Sequence, residues 1–165
     1  YQNPIVEPLI LFSIMIQLIW GAMLLIRRIR KNLHGVWVKI QVISGSFLLL
    51  FIVQHVIAFS LARWVDGMDT NFYWPASVMN SPPFVYYFLP YYFFGIVAFF
   101  VHAGCGLRLA LLRSRFRVSA PLGFWIPTFA GLLIAIVINL MLLGTFFEIN
   151  MPQEWIIYLK NLTLS

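Results

Sequence analysis

Histidine is the residue type in this chain best suited to chemistry, and two of the three histidines stand in unusual company. His55 sits in FIVQHVIAF and His102 in FFVHAGCGLRL, each among side chains that prefer hydrocarbon to water. An imidazole there is costly unless it has a partner, so intramembrane ionisable residues face a protein interior or a cavity. A metal is the commonest such partner for histidine; a backbone carbonyl or a serine on the next helix is the plainer one. Gly95 and Ala98 lie seven and four residues before His102 and Gly106 lies four after it, so the 3.6-residue period puts all of them on its helix face. A wall this smooth admits the edge of a flat porphyrin beside an axial imidazole, and it equally suits close packing of the small-xxx-small kind. The His55 face is bulkier, with Ser44, Leu48, Phe51, Phe59 and Ala62.

The elements that must carry these residues are spanning helices. Apolar residues make up 62% of the 165 and charged residues 10%, with a mean hydropathy of +0.90, which excludes a soluble globular domain. A hydrocarbon core of roughly 30 Å needs about 20 residues of helix. Four stretches are long enough, at about 8–26, 38–64, 84–112 and 122–147, and together they predict an all-α integral membrane bundle forming one transmembrane domain over 1–165. The first is not a secretory leader: Glu7 precedes it and IRRIRK follows it, the reverse of a leader's charge order.

Charge placement predicts orientation. Arg27, Arg28, Arg30, Lys31, Lys39, Arg108, Arg113, Arg115 and Arg117 flank the first and third connections, and the positive-inside rule puts that side inside. Glu7, Asp66, Asp69, Glu148 and Glu154 fall on the other side with Arg63 and Lys160, so both termini are expected outside. The stretch 65–84 between the second and third spans is acidic, aromatic and proline-bearing, and suits a cap over the outer end. His55 then lies nine residues before Trp64 and His102 six before Arg108, in opposite leaflets. Two axial imidazoles hold their nitrogens roughly 4 Å apart across an iron, given metal–nitrogen bonds of about 2.0 Å. One chain therefore cannot clamp one haem with both, and each needs a partner from elsewhere. His34, in KNLHGVW, is expected to be solvated or at a subunit contact.

Other classes lose ground. No span contains a carboxylate for a proton relay, no glycine-rich phosphate loop follows a strand, and no repeated halves with broken helices suggest a transporter. Cys105 is the single cysteine, so neither an internal disulfide nor a cysteine metal cluster can form. The net charge of +6 sits in membrane-flanking loops without a platform to display bases, so nucleic acid is not an expected partner.

VISGSF at the start of the second span, HAGCGLRL in the third, and FIVQHVIAF between them resemble the membrane-anchor subunits of the succinate dehydrogenase and fumarate reductase family. The likeness covers 37–112, with 122–147 as the following helix and the first span extra to the usual core. The resemblance implies that His102 is an axial ligand of haem b and that Gly106 faces the macrocycle. It implies that Arg108 lies near propionates or quinone, and that Ser44 lies by the quinone near the inner face. His55 would ligate iron only as in the two-haem branch, paired with a histidine of a second membrane subunit or a second copy. Val42 and Ile43 stand where many members have His-Arg, which leaves Lys39, Gln41 and His34 as nearby polar groups. The partners implied are an iron–sulfur subunit and a flavoprotein on the inner side, with membrane lipid around the spans. The expected function is electron transfer between the iron–sulfur subunit and quinone, in a bacterial cytoplasmic or mitochondrial inner membrane, with this chain non-catalytic. A haem-free structural subunit of a large respiratory or photosynthetic assembly is the alternative, followed by a cytochrome b anchor of another dehydrogenase.

Overall fold

A computed structural model describes residues 3, 5–31 and 34–164. Among them the chain is all-α, and four helices are long and apolar enough to cross a membrane. These are α1 (Val6–Ile29), α2 (Val36–Ser60), α4 (Phe84–Leu112) and α5 (Ala120–Leu142); α3 (Tyr73–Met79) and α6 (Gln153–Leu164) are short. The four long helices match the four spans expected from the sequence, whereas α3 and α6 emerge only from the structure. Asn3 starts α1 by accepting from the backbone N–H groups of Ile5 and Val6 at 3.0 and 3.1 Å, which satisfies two otherwise orphaned donors.

The long helices pack in the order α1, α2, α4, α5, each against its neighbours; among the described residues α1 reaches neither α4 nor α5. The tightest seam joins α4 to α5 and is made by glycine. A Cβ on Gly104 would stand 2.9 Å from the Phe124 carbonyl oxygen, and one on Gly131 would strike the Phe100 ring. Close backbone approach is how helices associate where lipid removes any hydrophobic drive between them. The α2–α4 seam uses a different device. The Phe51 ring fills the space over Gly95, and Tyr91 donates to the Phe51 carbonyl at 3.0 Å. Among the described residues helix α1 buries none of its own side chains and packs on α2 but on no other helix.

The fifth element stops earlier than hydropathy suggests. Apolar residues continue to Phe147, yet α5 ends at Leu142 because Gly144 adopts φ +75°. Its N–H donates to Met141 and that of Thr145 to Leu140, at 3.1 and 3.0 Å, which together make a Schellman stop. Helices α3 and α6 fold over this end. Asn80 bridges α3 to α5 by donating to the carbonyls of Ala76 and Leu142 at 2.8 and 2.7 Å. Trp155 and Leu159, one turn apart on α6, are buried in the cap that α6 forms with α3. The opposite end carries Arg27, Arg28, Arg113, Arg115 and Arg117.

Candidate functional site

Two sites hold the intramembrane histidines, and they are built differently. His102 projects from α4 onto the opening turns of α2. Its Nδ1 lies 3.3 Å from the Gln41 carbonyl oxygen and 3.4 Å from Ser44 Oγ, and the Ser44 hydroxyl is itself 3.3 Å from that carbonyl. Ser44 is buried. A proton on Nδ1 is donated to the carbonyl, which leaves the lone pair on Nε2. Among the described residues Nε2 makes no hydrogen bond. Gly45 explains how the ring comes so close, since a Cβ there would stand 2.9 Å from His102 Cε1 and 3.1 Å from Nδ1.

The small residues around His102 divide into two groups. Gly95 and Ala98 are buried, with Gly95 used to seat Phe51. Gly106 is exposed, and a Cβ there would meet nothing within 4 Å. The smooth wall is thus open on the side toward Arg108 and closed on the other. The Arg108 guanidinium stacks over the Trp37 ring at 3.9 Å from its centroid, and Trp37 packs edge-on against Phe124 at 4.9 Å. Its charge is held against α2 two turns below Ser44. The structure therefore brings Ser44, Gln41 and His102 into contact and keeps Arg108 nearby on Trp37. His34 and Lys39 are exposed.

His55 lies ten or eleven residues along α2 from the level of His102, about 15 Å at 1.5 Å per residue. The two imidazoles cannot share one metal. Phe51 stacks on the His55 ring at 5.9 Å, and Trp74 of α3 lies tilted against it at 5.4 Å. Gln54, the neighbour best suited to satisfy it, exchanges hydrogen bonds with Tyr87 instead. Among the described residues His55 makes no hydrogen bond.

A cleft of about 300 Å³ opens beside His55, between α1, the end of α2 and the loop that follows. Its rim is polar. Arg63 Nε lies 2.9 Å from Glu7 Oε1 in a largely buried ion pair, and Arg63 Nη1 donates to Thr70 at 3.3 Å. Arg63 occupies a π-helical turn, Leu61–Val65, where the Asp66 N–H reaches back to the Leu61 carbonyl. Such turns add a residue to a helix and re-aim side chains, frequently at functional sites. Sequence reasoning used Glu7 and Arg63 only to orient the chain and passed over Thr70, although an arginine beside Trp64 at a span end was a signal.

The two sites would present their imidazoles to a haem iron differently. At His102 the ring is oriented by an acceptor on Nδ1, a contact of the kind that fixes the tautomer of a metal-binding histidine, and among the described residues Nε2 makes no hydrogen bond. At His55 aromatic rings pack on the imidazole beside the cleft, and among the described residues no hydrogen bond fixes its tautomer. No group of three or more His, Cys, Asp or Glu side chains converges among the described residues. Comparison of the chain with family models, curated proteins and solved structures finds no match.

Proposed function

We propose that this chain is a haem b-binding membrane anchor of the succinate dehydrogenase and fumarate reductase type, supporting electron transfer between an iron–sulfur subunit and quinone. One observation carries the reading: in the apolar interior His102 has Nδ1 fixed by the Gln41 carbonyl and Ser44, and Nε2 unbonded. Haem b, when bound, supplies one-electron transfer at a potential set by ligands, burial and hydrogen bonds. The chain's own residues hold the ligand. Gln41 and Ser44 fix the tautomer, Gly45 lets the ring lie against α2, and Gly106 leaves the neighbouring wall open. A second membrane subunit or a second copy would supply a further ligand. Arg108, on Trp37, and Ser44 supply a cation and a hydroxyl for propionates or a quinone carbonyl. The arginine-bearing end is inside, and there the flavoprotein and iron–sulfur subunits dock.

A second reading has its own support, because the same contacts on Nδ1 suit a histidine that merely joins α4 to α2 in a haem-free structural subunit. The absorption spectrum of the purified complex decides. A reduced b-type band that disappears in His102→Ala supports the anchor; a complex without haem, or an unchanged band, removes it. An outer haem on His55 enters only as a second species in haem quantification, lost in His55→Ala.

A further inference from the structure

We propose that the exposed face of α2 centred on Gln54 pairs with the same face of a second copy of this chain, through hydrogen bonds between the two Gln54 amides. The inference does not rest on haem at His102. It begins with spacing. Ile43, Leu50 and Ile57 recur every seven residues, and Phe47, Gln54 and Leu61 follow each of them by four. All six are exposed. Apolar residues alternating at three and four are the seam along which two helices cross at about 20° in a left-handed pair. A lipid-facing helix can show such a stripe without any partner, but lipid gives no reason for the amide at its centre.

Gln54 stands inside the apolar span Val36–Val65, ten residues before Trp64, about 15 Å along the helix. Unpaired donors and acceptors are costly there. Tyr87 of α4 meets part of the need: its hydroxyl donates to Gln54 Oε1 at 2.7 Å and lies within hydrogen-bond reach of Nε2. A primary amide has two N–H donors and two carbonyl lone pairs, so one of each is left on the exposed face. That remainder is complementary to itself. Two copies inserted in the same sense about a two-fold axis along the membrane normal bring identical residues to one depth, where each Gln54 donates to the other's carbonyl. A single polar residue in an apolar seam also fixes register. Tyr87 and Phe94, the latter edge-on to Phe47 with centroids 6.4 Å apart, flank the seam from α4.

The test is cross-linking in membranes that hold the assembled complex. Leu50→Cys and Ile57→Cys, oxidised with copper phenanthroline, should each give a disulfide-linked dimer containing this chain alone. Phe129→Cys, on the similarly exposed face of α5, should not, nor should the parent, whose Cys105 is buried. Gln54→Leu should weaken association of the two copies about tenfold, the size of a pair of interhelical hydrogen bonds, read by energy transfer between labelled chains across a lipid dilution series. Tyr87→Phe separates this seam from a bond that only joins α2 to α4: it breaks that join and keeps the Gln54 amide, so the dimer should persist. No linked dimer, linkage to a different subunit, equal linkage through Phe129→Cys, unaltered association in Gln54→Leu, or loss of the dimer in Tyr87→Phe overturns the proposal.

Discussion

The two histidine sites share an apolar setting and differ in what surrounds the imidazole. His102 is held by backbone and serine from a single neighbouring helix, with glycine beneath the ring, whereas His55 is held by aromatic faces and opens on a charged rim. A hydrogen bond on one nitrogen fixes a tautomer and aims the other nitrogen; two packed rings fix a plane and aim neither. The contrast teaches that burial of a histidine says little about its role until the bonds of each nitrogen are known.

The contrast breaks most sharply at His102. His102→Ala should eliminate the b-type band of the assembled complex, while His55→Ala leaves it in place; reduced-minus-oxidised spectra of the two variants read the difference. Next comes Gly45→Val, whose side chain meets the imidazole. Overpacking of this kind costs about 1–3 kcal/mol, and both thermal stability and haem content should fall. Gly106→Leu sharpens the comparison because its surroundings are open. Its melting temperature should match the parent, and only haem content should drop; equal haem content would show that the open wall faces lipid. A smaller effect is expected for Ser44→Ala, which leaves the Gln41 carbonyl to hold Nδ1, so haem should be retained with a shifted midpoint potential.

The smallest effect lies in the cap. Burial pushes the Tyr158 phenol up to about 12, and the hydrogen bond it donates to Asp66 Oδ2 at 2.8 Å adds to the rise. A raised folded value means that the stabilising contribution is complete below about 10, the ordinary tyrosine value, and is lost as pH climbs from there through about 12. Trp155 fluorescence should report loosening of α6 in that window, and Tyr158→Phe should remove the pH dependence.

The spans were legible because about 20 consecutive apolar residues have few alternatives, and α2 and α4 fall close to where hydropathy puts them. Residues 143–147 were misread as helix because composition outvoted Gly144, a stop signal visible in the sequence. Helices α3 and α6 were hidden for another reason: they are short, and their order depends on contacts such as Asn80 with Leu142, which no local pattern encodes. At the site, helical periodicity put Gly95, Ala98 and Gly106 on the His102 face and Ser44 on the His55 face of α2, whereas the structure gives the space over Gly95 to Phe51 and sets Ser44 against His102. Which side chain fills a glycine's space is a property of two helices in register. Gln41 acts through its carbonyl, and a backbone group leaves no mark on residue identity.

The Glu7–Arg63 ion pair has a consequence for the order of assembly. Glu7 leaves the ribosome 56 residues ahead of Arg63, an interval of about 3–11 s at roughly 5–20 residues per second. During that time α1 has neither its counter-charge nor α2, the helix it packs on among the described residues, so its carboxylate waits in water or among headgroups. Arrival of Arg63 at the end of α2 is the event that commits α1 to its place, and a nascent chain released before it would leave the first helix in the bilayer without a neighbour.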